Sequence, residues 1–156
     1  MLKKSELLDR LDVLLGGRVA EELVFGDVST GAQDDLQRAT DMARQMVTQY
    51  GMSEQLGLAA YEQLPSSPFL DDKAMQPRET RSYSERTAQK IDDEIVALLD
   101  QAHARVKATL TAKRSLLESL AQRLLETEIV DRETLDELFK RKQGEAAAQL
   151  SLPQDA

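Results

Sequence analysis

The sequence predicts an all-α chain, and three observations carry that reading. Leu, Ile and Ala recur at spacings of three and four through every long segment outside residues 52–81, which is the helical period. Aromatic residues make up only 4% of the chain and there is no Trp, so the core must be assembled from Leu, Ile, Val, Ala and Met, as in helix-on-helix packing. A single short stretch alternates like a strand, leaving room for at most a minor β-hairpin near residues 56–70. The expected architecture is a helical domain over residues 1–142 with a long antiparallel helix pair, followed by a disordered tail over 143–156.

The first element is read from KSELLDRLDVLLGG, where Leu7, Leu8, Leu11, Leu14 and Leu15 share a helical face and Gly16-Gly17 form the stop. A second helix of about two turns follows in RVAEELVF and ends at Gly26. Ser29, Thr30 and Gly31 are turn and cap residues. They introduce a helix running to about Tyr50, with Gly51 as its left-handed stop and an apolar stripe of Leu36, Ala39, Ala43, Met46, Val47 and Tyr50.

Beyond Met52 the helical period is lost. LGLAAYE alternates weakly, and QLPSSPFLDDKAMQP carries three of the four prolines and reads as a loop. Ser82 and Glu85 have capping-box spacing ahead of the longest helix, whose face holds Ala88, Ile91, Ile95, Leu98, Leu99, Ala102, Val106 and Leu110. Another helix carries Leu116, Leu117, Leu120, Leu124 and Leu125. Asp131 then caps a last one with Leu135, Leu138 and Phe139.

Composition narrows the function. Apolar residues are 41% and charged residues 31%, typical of a globular protein with a solvated surface. The net charge of −8 and the absence of a basic run argue against a nucleic-acid partner. There is no Cys, which excludes disulfides and thiolate metal sites, and no apolar run of membrane-spanning length.

The candidate chemistry lies in STGAQDDL. Asp34 and Asp35 open a helix, where unpaired N–H groups and the macrodipole favour carboxylates. Capping alone accounts for such a pair. The alternative is a carboxylate that gives one oxygen to a zinc ion whose other ligands come from elsewhere. The residues alone leave both readings open. Glu21-Glu22 is a second acidic pair, with Glu22 spaced to face solvent or pair with Arg18, and Glu21 able to point inward. His103 is the only histidine and cannot complete a zinc site, so it reads as a surface or interface residue. Gly16-Gly17 follows a helix and not a strand, which removes it from any phosphate-binding fingerprint.

GGRVAEELVFG, STGAQDDLQRAT and MARQMVTQYGMSEQLG together resemble the protease domain of the FtsH-type ATP-dependent zinc metalloproteases, the membrane-anchored AAA+ proteases. The likeness is dense over residues 7–62 and continues through YSERTAQKIDDEI and ETEIVDRETLDEL to about Lys140. The resemblance implies a zinc held by two histidines of an H-E-x-x-H helix, whose Glu is the general base, and by an aspartate at the position of Asp35. Glu21 is a weaker carboxylate candidate near the metal. Asp34 stands where relatives carry Asn, and FLDD after a PSSP loop replaces the family's FLG-type turn.

The resemblance further implies polypeptide substrates, ATP and Mg in an AAA+ module, a homo-hexameric ring, and an inner-membrane anchor with this domain on the cytoplasmic side. The chain begins just past the point where the H-E-x-x-H helix would lie. That is expected of an excised fragment starting at an added Met1, or of a truncated paralogue. On this reading the chain supplies the aspartate ligand and helical scaffold of a zinc endopeptidase, binds no cofactor alone and does not hydrolyse peptides by itself. The alternative is a non-catalytic helical interaction or oligomerisation domain of a truncated relative.

Overall fold

A computed structural model describes residues 1–61 and 83–140. The described residues are helical, with no strand among them. The elements are α1 (Lys4–Phe25), a 3-10 turn (Thr30–Ala32), α2 (Gln33–Thr48), α3 (Glu85–Ala112) and α4 (Arg114–Thr127), followed by a helical run over 132–140. The chain divides into two compact units, Met1–Ala108 and Thr109–Ala156.

α1 runs without a break through Gly16-Gly17, so the stop expected there does not exist. Leu7, Leu11, Leu15 and Val19 form one row at i,i+4 spacing and are all buried, on both sides of the glycine pair. Burying each such side chain contributes roughly 1.5–3 kcal/mol, more than the roughly 0.5–1 kcal/mol a mid-helix Gly costs. The left-handed stop is Gly26, at φ 69°, whose N–H bonds to the Glu22 carbonyl at 3.0 Å.

α2 lies antiparallel to α1: Arg18 shares a cleft with Gln33 and Leu36, Arg10 one with Gln45, and Leu7 one with Tyr50. Of its expected stripe, Ala39, Ala43, Met46 and Val47 are buried, whereas Leu36 and Tyr50 are exposed. These two sit at the ends of the stripe, where the helices no longer cover each other. Gly51 does adopt a left-handed φ of 60°, and Met52 N–H closes onto the Met46 carbonyl at 3.0 Å.

Residues 56–61 form no strand, within the limit of at most a minor hairpin there; residues 54–58 are turn, with Gly57 at φ 72°. Buried Ser53 organises that turn: its hydroxyl donates to Glu94 at 2.6 Å and accepts the N–H groups of Gln55 and Leu56. With their amides bound to a side chain, these residues have no ladder to join. Tyr61 donates its N–H to Thr48 at 2.7 Å and meets Tyr83 edge to face, ring centroids 5.7 Å apart. The rest of the 56–70 stretch, the proline-rich loop, Ser82 and the tail over 143–156 lie outside the described residues.

α3 is capped by Ser84, whose hydroxyl accepts the Thr87 N–H at 3.3 Å. In the first unit two clusters make the core. Leu7, Leu11, Leu15, Ala39, Met46 and Ala102 form one, and Ala43, Val47, Ile91 and Ile95 the other. In the second unit α4 has no buried residue, and Leu125 and Ile129 are exposed. Asp131 caps the run over 132–140 as expected, its carboxylate accepting the Thr134 N–H at 2.8 Å; that bond and the Thr134 hydroxyl hold the carboxyl below its usual range.

Candidate metal-ligand site at the start of the second helix

The turn that delivers Asp35 is built on Ser29. Glu21 of α1 accepts the Ser29 N–H at 3.1 Å and its hydroxyl at 3.0 Å. Arg18, one turn earlier on α1, donates from Nη1 to the Ser29 carbonyl at 3.2 Å. The Ser29 hydroxyl oxygen in turn accepts the Gly31 N–H at 3.1 Å, opening the 3-10 turn, and Gln33 N–H closes that turn on the Thr30 carbonyl. α2 therefore starts in a fixed direction, with Asp34 and Asp35 in its first turn.

The two aspartates are treated differently. Asp34 points outward and pairs with Arg38 at 3.1 Å, an exposed i,i+4 contact of small energetic value. Asp35 is half-buried and, among the described residues, makes no hydrogen bond or ion pair. A half-buried carboxylate at a helix N-terminus with its lone pairs uncommitted has the chemistry of a metal ligand.

The second acidic pair also separates. Glu21 is engaged by Ser29. Glu22 does not pair with Arg18, one of the two placements its spacing allowed. It reaches α3, accepting from Lys107 Nζ at 2.6 Å and from His103 Nε2 at 2.8 Å. Arg18 is unavailable because the Ser29 carbonyl has drawn it to the turn. The Lys107 bond, then the His103 bond, hold the Glu22 carboxyl down to about 2. A second tie crosses the same two helices, Arg105 to Asp12, with both guanidinium contacts made at 2.7 and 3.1 Å.

The sequence singled out Asp35, Asp34, Glu21, Glu22 and His103. The structure brings Glu22 to His103 and Glu21 to the Asp35 turn; among the described residues neither His103 nor Glu22 hydrogen-bonds or ion-pairs with Asp35. Lys107 was missed, as was the joint grip of Arg18 and Glu21 on Ser29. The one signal was Arg18 and Glu21 at i,i+3 within RVAEELVF, which puts them on one helix face. Among the described residues no three His, Cys, Asp or Glu side chains are placed to hold a metal ion. They fit one position of a zinc site and not a whole one.

Comparison with known proteins identifies the family. Residues 1–138 match peptidase family M41. A protein of Ralstonia pickettii described as ATP-dependent zinc metalloprotease FtsH is 63% identical over 142 residues, covering 91% of this chain and 20% of that protein. Proteins with the same description from Syntrophobacter fumaroxidans and Burkholderia pseudomallei are 53% and 56% identical, covering 94% and 86% of this chain and 22% and 20% of their own lengths. The chain thus spans about a fifth of the length of these relatives. With residues 1–138 of its 156 matched, the chain belongs to peptidase family M41.

Proposed function

We propose that this chain is the C-terminal part of the peptidase domain of an ATP-dependent zinc metalloendopeptidase that degrades proteins. Its share of the site is Asp35, offered as one zinc ligand from the first turn of α2, together with the helical scaffold that carries it. The observation that supports this reading is the uncommitted, half-buried carboxylate of Asp35, set just after a turn fixed through Ser29.

Zinc bound in such a site polarises the scissile carbonyl and acidifies a bound water. What this chain contributes is geometric: a carboxylate held at a fixed place and direction. The general base and the two histidine ligands belong to another part of the polypeptide, as do the ATP- and Mg-binding module and the membrane anchor. Assembly as a homo-hexamer and attachment to the inner membrane, with this domain on the cytoplasmic side, belong to the same proposal. No described helix here is long and apolar enough to cross a membrane. Taken alone, the chain binds zinc weakly and hydrolyses no peptide, because one carboxylate cannot supply the affinity of a full ligand set.

The test is a chimaera in which this chain replaces the matched 142 residues of the Ralstonia pickettii protein. It is expected to hold zinc and degrade an unfolded protein in the presence of ATP, and Asp35→Ala is expected to abolish both. Full zinc occupancy in Asp35→Ala would overturn the assignment. A chimaera that assembles but neither holds zinc nor degrades protein would favour a non-catalytic interaction domain instead.

A further inference from the structure

The first turn of α2 is not held by the core. The first buried residue of α2 is Ala39, one turn after Asp35, and Leu36 between them is 42% exposed. Helix N-termini without packing fray, because their first N–H groups have no intrahelical partner. What fixes this one is Ser29, each of whose polar groups is engaged. Arg18 binds the carbonyl, Glu21 binds the N–H and the hydroxyl proton, and the hydroxyl oxygen takes the Gly31 N–H. Arg18 and Glu21 lie within a single turn of α1, whose neighbour Val19 is fully buried. The grip is therefore anchored to a rigid element and passes through a three-residue 3-10 turn to Asp35.

We propose that Arg18 and Glu21 are positioning residues for Asp35 and act through Ser29; the proposal rests on the reading of Asp35 as a zinc ligand. Both oxygens of Glu21 face Ser29, so Glu21 serves the metal by aiming Asp35 and not by ligation. Residues that orient a ligand affect metal affinity without touching the metal, typically by about 10–100-fold.

The choice of variants separates aiming from ligation. Gln at position 21 still accepts the Ser29 N–H and hydroxyl through its amide oxygen but is a poor zinc ligand, whereas Ala does neither. In the chimaera, zinc affinity measured by chelator competition is expected to fall about tenfold or more in Glu21→Ala and in Ser29→Ala, with kcat falling and KM nearly unchanged, and to be restored in Glu21→Gln. In the 156-residue chain itself, Glu21→Ala is expected to speed amide hydrogen exchange at Asp35 and Leu36 and leave Ala43 and Met46 as in the parent. Equal damage from Glu21→Gln and Glu21→Ala would show Glu21 on the metal and overturn the proposal. Affinity within twofold of the parent in Ser29→Ala would overturn it too, and that variant carries the test if Glu21→Ala does not fold. Asp35→Asn serves as the control. If it retains zinc, the ligand assignment fails and the positioning role fails with it, whereas loss of zinc in Asp35→Asn alone removes only the positioning role.

Discussion

The Glu22 carboxylate on α1 accepts from both His103 Nε2, at 2.8 Å, and Lys107 Nζ, at 2.6 Å, one turn apart on α3. Asp12, ten positions earlier on α1, meets Arg105 on that same turn of α3. Ten helical residues span about 15 Å, so α3 crosses α1 and is riveted at two separated points along it.

The Glu22 tie predicts an acid-sensitive share of stability. The folded-state pKa is about 2, below the ordinary value of 4.5, so the stabilisation is fully present above about 4.5 and is lost as pH falls toward about 2. Glu22→Gln is expected to be less stable than the parent at pH 7 and to converge with it near pH 2. Urea unfolding at pH 7, 4 and 2.5 checks this. Lys107→Ala is expected to flatten the acid slope more than His103→Ala, since the Lys107 bond is the larger cause of the shift.

The glycines of α1 are expected to respond in opposite senses. A Cβ at Gly16 or Gly17 would meet nothing within 4 Å, and both positions are mid-helix. Gly16→Ala and Gly17→Ala should each stabilise by about 0.5–1 kcal/mol. Gly26→Ala should destabilise by about 1 kcal/mol, because its φ of 69° strains any side chain even though the space is open. Thermal unfolding of the three variants decides the matter.

Glu128 is the one non-glycine residue with positive φ among the described residues, at 60°, where it ends α4 and donates its N–H to the Leu124 carbonyl. Glu128→Gly removes the strain of a Cβ in that region and is expected to stabilise α4 by about 1 kcal/mol. Slower amide exchange over the last turn of α4 would be the direct sign.

Asp35→Asn should leave the stability of the isolated chain within about 0.5 kcal/mol of the parent, since its carboxylate makes no hydrogen bond or ion pair among the described residues. Asp34→Asn loses only an exposed pair with Arg38, worth roughly 0.3–0.5 kcal/mol. A loss well above 1 kcal/mol at Asp35, seen in denaturant titration, would mark that residue as a structural cap.

The helical character of the chain was readable because its apolar spacing is nearly unbroken, and Ala39, Ala43, Met46, Ile91, Ile95 and Ala102 are buried where periodicity puts them. Gly16-Gly17 misled because local propensity counts against a helix there, while the burial of Leu11, Leu15 and Val19 that overrides it is tertiary. The Ser53 turn was not legible either: its contact with Glu94 bridges 41 positions, and no local pattern announces it. At the candidate site Asp35 stood out through family resemblance. The Ser29 hub did not, because it depends on which face of α1 the turn folds back onto.

The contact between Tyr61 and Tyr83 has a practical consequence. The described stretches on either side of residues 62–82 meet at two touching rings, one of them fastened to the end of α2. Entry and exit are thus side by side whatever joins them. A segment joining these tyrosines starts and finishes on the same patch of scaffold, so its two ends impose no span on the chain between them.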